Sequence, residues 1–366
     1  MSFVVTLADA ADAGLVGGKA ASLGELARAG VAVPPGFAVT TGAFGAAMAA
    51  VDADGALRAG IESLPASDVT RIASVAARFR EIIAGAPLPP EVAAAVEAGY
   101  AGLGSAGPDV AVRSSATVED GAEASFAGLQ DTYLGVSGAD AVLDHVRRCW
   151  ASMYNDESVA YRRRLGLPES AVAMAVVVQR MVAPRAAGVM FTRSPVTGDR
   201  SVVAIEGTWG LGSALVSGDV TPDSWVISKI TGEITSRRVS PKAKIHKFIP
   251  NGPGVSVCDA PPELLEAPCL TDDEIRSLAA LARRVEAHYG VPQDIEWAVL
   301  EAPPAPPADG SGDRDGSADG EGDAGESIVL LQSRPETVWA SRAASPAGAP
   351  KPRAADHVLA LFGKPL

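Results

Sequence analysis

Two apolar runs near the carboxyl end of the chain read DIEWAVL at residues 294–300 and IVLLQ at residues 328–332. Both have the length and the aliphatic and aromatic content of β-strands. The residues between them are rich in Gly, Pro and acidic side chains, which do not continue a strand. We therefore predict that the two runs pair as antiparallel strands of one sheet.

These two strands carry polar side chains that indicate metal and phosphate chemistry. Asp294 and Glu296 are two residues apart and share one face of their strand, and Gln332 and Arg334 share one face of the other. If those faces lie together, two carboxylates, an amide oxygen and a guanidinium converge. Such oxygens suit Mg²⁺, and the arginine suits the phosphates that the metal bridges. A solvated hairpin face with cross-strand ion pairs explains the same residues equally well.

The segment that joins the two strands, residues 302–326, has a different composition. It contains four prolines, six glycines and seven acidic residues against one arginine, a net charge of −6 in a chain of −13. It cannot bury enough apolar surface to order itself, so we predict a disordered acidic insert. Residues 341–366, with three closely spaced prolines, are predicted to be a flexible tail.

The composition of the 366 residues is that of a globular protein, with 47% hydrophobic and 20% charged residues. A chain of this length accommodates two lobes. The acidic balance argues against a nucleic-acid partner, because neutralising phosphates requires clustered Lys and Arg. No apolar run is long enough to span a membrane, and the amino terminus lacks the pattern of a signal peptide. With three cysteines at no disulfide or zinc spacing, these features predict a cytoplasmic protein.

Periodicity and chain breakers predict the other elements. The first third is predicted to be helical, starting with a helix at residues 19–29. A short strand at residues 110–113 precedes residues 114–132, whose Ser, Ala and Gly content predicts an exposed, mobile lid. Residues 138–165 are predicted to be a helix, and a TDDE capping box at residues 271–274 begins another. Four further apolar runs are predicted to be strands of one sheet: residues 176–178, 188–191, 202–205 and 224–227.

Two basic residues are candidates for binding phosphate. Lys19 follows two glycines whose backbone amides could approach an anion, although a solvated helix start explains this short pattern too. The segment is not a Walker A loop, because Ala20 replaces the required Ser or Thr. Arg113 ends a strand beside the predicted lid, where it could clamp phosphate oxygens or simply lie on the surface.

A third region, at the end of the predicted strand at residues 171–178, could bind a nucleobase. The backbone at Gln179 could pair with an adenine edge while Met181 and Val182 cover the ring, although core packing is the commoner role of such residues. The histidines have no neighbouring ligand residues and are interpreted as structural or solvent-facing; they are His145, His246, His288 and His357.

Eight segments, in this order, resemble the nucleotide-binding part of phosphoenolpyruvate synthase (pyruvate, water dikinase), which also occurs in pyruvate phosphate dikinase and rifampicin phosphotransferase. They are GGKAASLG at 17–24, RSSATVED at 113–120, SFAG at 125–128, GVMF at 188–191, WGLG at 209–212, TPD at 221–223, DIEW at 294–297 and QSRP at 332–335. The resemblance covers roughly residues 1–340. It implies an α+β fold, a two-lobed ATP-grasp domain with lobes at residues 1–180 and 181–340.

The resemblance also implies roles for individual residues. Lys19, Arg113 and Arg334 would clamp the triphosphate, and Glu296 and Gln332 would hold Mg²⁺. Asp294 would support the site. Residues 179–182, which include Gln179, Met181 and Val182, would hold the adenine of ATP. Two positions depart from the family pattern, because Leu129 and Ser213 replace residues that are usually polar and acidic, respectively.

In the complete enzymes this part cleaves ATP to AMP and phosphate and phosphorylates a histidine on a swivelling domain. None of the histidines here lies in the Gly-Gly-x-x-Ser/Cys-His-Ala-Ala setting of such a domain. The resemblance therefore predicts a split phosphotransferase of the pyruvate, water dikinase type, whose partner is a separate chain with a phosphohistidine domain and an acceptor-binding domain. The alternatives are a non-enzymatic ATP-binding module that regulates a partner and a remnant without activity.

Overall fold

The computed structural model describes residues 2–65, 67–104, 107–117, 120–121, 124–125, 131–250, 252, 254–301, 327–337 and 339. The predicted acidic insert at residues 302–326 and the predicted tail at residues 341–366 lie outside the described residues. The same holds for residues 118–119, 122–123 and 126–130 of the predicted lid.

The described part of the chain combines β-strands and α-helices in an α+β fold. The strands are β1 (Val4–Thr6), β2 (Gly36–Val39), β3 (Val110–Ala116), β4 (Asp120–Gly121), β5 (Ala124–Ser125), β6 (Thr132–Val136), β7 (Met174–Arg180), β8 (Pro184–Phe191), β9 (Val202–Trp209), β10 (Asp223–Ser228), β11 (Ile234–Arg238), β12 (Lys244–Ile249), β13 (Gly254–Asp259), β14 (Gln293–Leu300) and β15 (Ile328–Pro335). The helices are α1 (Ala13–Arg28), α2 (Thr41–Val51), α3 (Ala56–Glu62), α4 (Val69–Gly85), α5 (Pro90–Ala101), α6 (Ala139–Ser152), α7 (Asp156–Leu165), α8 (Ser213–Val216), α9 (Pro262–Leu265) and α10 (Asp272–Tyr289). Within the described ranges, no helix combines the length and apolar character needed to cross a bilayer.

The first lobe is built on a five-stranded antiparallel sheet with the order β1-β2-β7-β3-β6. Its central strand β7 has valines on both faces, and both faces are covered. Val176 and Val178 pack into a large core with the helices α2 to α7, whereas Val177 packs against α1 on the opposite face. This alternation follows from the two-residue period of a strand.

The second lobe is built on a six-stranded antiparallel sheet with the order β11-β10-β9-β8-β14-β15. Helix α10 covers one face, where Leu278 packs with the fully buried Trp225 and Trp297. The predicted capping box is confirmed, since Thr271 and Glu274 bond to each other's backbone amides at the start of α10. The predicted antiparallel pairing of residues 294–300 with residues 328–332 is confirmed as β14 and β15.

Three predictions of secondary structure need correction. The run at residues 176–178 belongs to the five-stranded sheet, whereas the other three runs belong to the six-stranded sheet. The predicted helix at residues 138–165 is two helices, α6 and α7, separated by a turn. Strand β3 continues to Ala116 with Ser114 and Ser115 buried, so these serines are part of the sheet and not of an exposed lid, and Thr132 already belongs to β6.

Candidate functional site

A cleft of about 430 Å³ separates the two sheets. The first lobe contributes residues of β3, β6 and β7, and the second contributes β8, β14, β15 and the segment from Leu211 to Ser217. The lining is mainly apolar, and we call the end at Arg113 and Glu296 the polar end of the cleft. A concave site of this size with a few convergent polar groups is typical of a small-molecule pocket.

Arg113 connects the two lobes at the polar end of the cleft. From β3 its Nη2 donates to Glu296 Oε2 at 2.9 Å and to Gln332 Oε1 at 2.7 Å. Its Nη1 donates to the carbonyl of Leu331 at 2.9 Å. The side chain is 12% exposed, and its Nε is buried with no hydrogen-bond partner in the described part of the chain. One guanidinium therefore holds the two residues for which the sequence predicts metal binding.

The register of β14 and β15 explains why those two residues meet. Glu296 lies directly opposite Gln332, and Asp294 lies opposite Arg334. After Glu296 the register skips Leu331, so that Trp297 pairs with Leu330. This irregularity is a β-bulge, which leaves the carbonyl of Leu331 facing Arg113.

Asp294 and Arg334 form the second cross-strand pair, with Arg334 Nε 3.6 Å from Asp294 Oδ2. Burial raises the pKa of Asp294 to about 6, although the arginine opposes this rise. Its Oδ1 is buried and has no hydrogen-bond partner among the residues described. The convergence of carboxylates, amide and guanidinium, which the two-residue spacing predicts, is thus present on this hairpin.

Lys19 lies on α1, just after a kink at Gly17, whose φ is 75°. A Cβ at Gly17 would lie 2.0 Å from the carbonyl oxygen of Ser115, so only glycine allows α1 to approach β3 this closely. Ser115 Oγ then donates to the carbonyl of Val16 at 3.0 Å. Lys19 is half-buried and is not among the described residues that line the cleft, but it opposes the rise in the pKa of the buried Cys149 thiol.

The segment predicted to hold adenine lies at the opposite end of the cleft, where the chain passes from β7 to β8. Gln179, Met181 and Val182 all line the cleft. The Gln179 amide donates to the carbonyl of Pro34 at 3.1 Å, and the Met181 backbone amide donates to that of Asp109 at 2.9 Å. In the described ranges, the Val182 backbone amide has no such partner.

The sequence did not predict a further polar cluster beside the cleft, formed by Ser213, His246 and Asp219. Ser213 Oγ lies 2.9 Å from His246 Nδ1, and His246 Nε2 lies 3.1 Å from Asp219 Oδ2. Asp219 also accepts from Ser217 Oγ at 2.6 Å. The sequence assigned His246 a structural or solvent-facing role. It is buried, and only the fold brings it to Ser213, 33 residues away.

The cleft fits both an adenine nucleotide and Mg²⁺. Glu296 Oε2 and Gln332 Oε1 converge on one nitrogen of Arg113, so a single cation already bridges the two oxygens. A carboxylate and an amide oxygen are hard ligands of the kind Mg²⁺ prefers. Arg113 offers positive charge for phosphate oxygens, and the apolar lining near Met181 suits a purine.

Two lobes with antiparallel sheets around such a cleft define a nucleotide-binding domain of the ATP-grasp type. The family described as the pyruvate phosphate dikinase, AMP/ATP-binding domain, matches residues 13–354, and the chain belongs to this family. The resemblance drawn from the eight sequence segments is therefore confirmed.

Named relatives agree with this assignment. A rifampicin phosphotransferase from a Streptomyces species is 48% identical over 299 residues, which are 81% of this chain and 34% of the relative. A probable phosphoenolpyruvate synthase from Methanothermobacter thermautotrophicus is 43% identical over 79% of this chain and 42% of its own. Another, from Staphylothermus marinus, is 40% identical over 90% of this chain and 40% of its own. The chain thus spans between a third and a little over two fifths of the length of these relatives.

Proposed function

We propose that this chain binds Mg-ATP between its lobes and acts as the ATP-cleaving part of a phosphotransferase of the pyruvate, water dikinase type. ATP, a histidine and water would give phosphohistidine, AMP and phosphate. The observation that carries the proposal is the contact of Arg113 with Glu296 and Gln332. It joins a cation suited to phosphate to two oxygens suited to Mg²⁺ across the cleft.

The proposed orientation of the nucleotide follows from the two ends of the cleft. The adenine lies against Met181 and Val182, where the backbone amide of Val182 can donate to the base. The triphosphate extends towards Arg113. Lys19 and Arg334, which are not among the described residues that line the cleft, would be further cations of the clamp. Glu296 and Gln332 hold Mg²⁺, which neutralises phosphate charge when it is bound.

Nucleotide binding at this site requires Arg113 to exchange partners. In the described structure its guanidinium is neutralised by Glu296 at 2.9 Å. Phosphate oxygens can replace this carboxylate, and Glu296 is then available to the metal. Charge-assisted hydrogen bonds contribute about 1.5–3 kcal/mol each, so the bond to phosphate replaces the one that Arg113 loses, and the contact of Glu296 with the metal is an additional gain.

The phosphoryl acceptor is proposed to be a histidine on a partner chain that also carries the acceptor-binding domain. The described histidines do not line the polar end of the cleft. His145 Nδ1 is bound to the carbonyl of Ala141 on its own helix, and His288 Nε2 lies 2.9 Å from Glu25. Positioning and charge stabilisation account for most of phosphoryl-transfer catalysis, so a nucleophile delivered from outside can complete this site.

A labelling experiment tests the proposal. The full chain is incubated with Mg-ATP labelled at the β-phosphate, alone and with the products of neighbouring genes. We expect AMP and a labelled, acid-labile phosphohistidine only with a histidine-bearing partner. Glu296→Gln should abolish both products, whereas Arg148→Ala, at an exposed arginine on α6, should not.

Two results would contradict the proposal. Label on a histidine of this chain would rule out the separate partner. ATP binding without AMP formation, whichever partner is added, would instead support the non-enzymatic regulatory module.

A further inference from the structure

The position of Ser213 along the cleft is defined by β8. An ideal Cβ at Gly212, the preceding residue, would lie 3.9 Å from Ala187 Cβ and 4.0 Å from the Gly188 nitrogen. Strand β8 begins at Pro184, next to the proposed adenine end, and its Val189 pairs with Glu296 at the polar end. Ser213 therefore lies between the two ends, on the wall opposite β3.

The hydrogen bonds of His246 determine what Ser213 offers to the cleft. Asp219 accepts from Ser217, which lowers the pKa of its carboxyl, so it faces His246 Nε2 as an ionised acceptor. Nε2 must then carry a proton, and in the neutral imidazole Nδ1 is left as an acceptor. In this tautomer the Ser213 hydroxyl donates to Nδ1 at 2.9 Å. Among the described residues no other group donates to Ser213 Oγ, so its lone pairs are available to a donor.

We propose that Ser213, oriented by His246 and Asp219, accepts a hydrogen bond from a ribose hydroxyl of the nucleotide and thereby selects ribonucleotides over deoxyribonucleotides. This inference rests on the proposed function, because the order of base, sugar and phosphates follows from it. Between the base and the phosphates, the hydroxyl groups of the sugar are the donors that a nucleotide supplies. His246 and Asp219 are positioning residues, since they act through Ser213.

Nucleotide selectivity provides a readout that a purely structural role would not change. The dissociation constants of Mg-ATP, Mg-2′-deoxy-ATP and Mg-3′-deoxy-ATP are measured by calorimetry with the full chain. We expect wild type to bind ATP about three- to tenfold more tightly than at least one deoxy analogue, as one neutral hydrogen bond implies. Ser213→Ala should bind ATP and that analogue equally, through weaker binding of ATP alone. Ser236→Ala, at an exposed serine on β11, is the matched control.

Substitutions of the histidine test the positioning role. His246→Leu should lose the selectivity as Ser213→Ala does, and His246→Gln should restore part of it, because an amide oxygen can accept from Ser213. If His246→Leu does not fold, Ser213→Ala and His246→Gln still decide the matter. Unchanged selectivity in Ser213→Ala, or equal wild-type affinity for all three nucleotides, would overturn this inference and leave the proposed ATP site intact. Failure of wild type to bind ATP would overturn both.

Discussion

At the scale of single residues, Arg113 links the proposed phosphate site to the proposed metal site. The predicted phosphate ligand is bound by both predicted metal ligands, Glu296 and Gln332. Without a metal, the carboxylate both occupies the guanidinium and repels an incoming phosphate. Metal and nucleotide binding are therefore expected to be coupled through this one arginine.

Glu296→Gln tests that coupling. Removing the carboxylate charge frees Arg113, so the variant should bind ATP in the presence of EDTA several-fold more tightly than wild type does. It should gain much less from added Mg²⁺, because a metal-ligand charge is lost. Calorimetry with and without EDTA measures both effects, and Glu301→Gln, at an exposed carboxylate just beyond β14, is the control. Weaker binding of metal-free ATP by Glu296→Gln would contradict the proposed exchange.

Asp294 gives a prediction about pH. Its pKa rises from 3.8 to about 6 on folding, because burial and Glu336 oppose ionisation more than Arg334, at 3.6 Å, favours it. A carboxyl group with a raised pKa stabilises the folded state below pH 4, and this contribution is lost as the pH rises to about 6. The change in the free energy of unfolding caused by Asp294→Asn should therefore be about 2 kcal/mol more favourable at pH 7 than at pH 4.

Urea denaturation at the two pH values measures this difference. Asp199→Asn is the control, because hydrogen bonds from Ser201 lower the pKa of the exposed Asp199 and the variant should show no such gain at pH 7. An Asp294→Asn variant with equal effects on stability at both pH values would show that the carboxyl is not destabilised by burial.

Residue spacing predicted the part of the site that lies on one hairpin and missed the part whose residues lie on separate segments. Asp294, Glu296, Gln332 and Arg334 could be grouped because side chains two apart on a strand share a face, and one hairpin holds them all. Ser213, Asp219 and His246 lie on three different segments, and no periodicity connects them. They come into contact because β12 packs beside the segment after β9. That packing is a tertiary contact, and no local sequence pattern predicts it.

At the scale of secondary-structure elements, the kink in α1 is the feature that brings the first helix against β3. Gly17→Ala is predicted to destabilise the protein by at least about 2 kcal/mol, because a residue with φ of 75° is strained and its Cβ would meet the Ser115 carbonyl. Gly45→Ala, inside α2 with open space around the new Cβ, should instead stabilise by about 0.5–1 kcal/mol.

Thermal and urea denaturation of both variants check this prediction. Equal stability of Gly17→Ala and wild type would mean that α1 can shift away from β3 without cost. The outcome matters for the site, because Lys19 follows the kink by two residues and its placement depends on it.

Secondary-structure elements were predicted correctly where a local sequence rule determines them. They were predicted poorly where tertiary contacts determine them. The capping box set the start of α10, and the length and apolar content of two short runs identified β14 and β15. By contrast, the Ser, Ala and Gly content of residues 114–132 predicted that Ser114 and Ser115 belong to a loop. Ser115 is buried because its hydroxyl serves both the Val16 carbonyl and the Ala20 amide at the kink. That requirement is visible only when α1 lies against β3.

At the scale of the whole molecule, contacts at several points join the two lobes around the cleft. Ser22 on α1 donates to the carbonyl of Ser333 on β15 at 2.8 Å. On another side, Gly135 of β6 and Gly254 of β13 pack backbone to backbone, since a Cβ at Gly135 would lie 2.4 Å from the Gly254 Cα. Arg113 provides a contact within the cleft itself. A ligand in the cleft therefore contacts residues whose positions are fixed by contacts between the two lobes.

The central claim is that ATP binds in this cleft with Arg113 on its phosphates. Isothermal titration of the full chain with Mg-ATP tests it most directly, comparing wild type, Arg113→Ala and the surface control Arg148→Ala. Loss of one charge-assisted phosphate contact costs about 1.5–3 kcal/mol, so Arg113→Ala should bind at least tenfold more weakly while Arg148→Ala binds as wild type does. Equal affinity of Arg113→Ala and wild type, with both proteins folded, would contradict the claim.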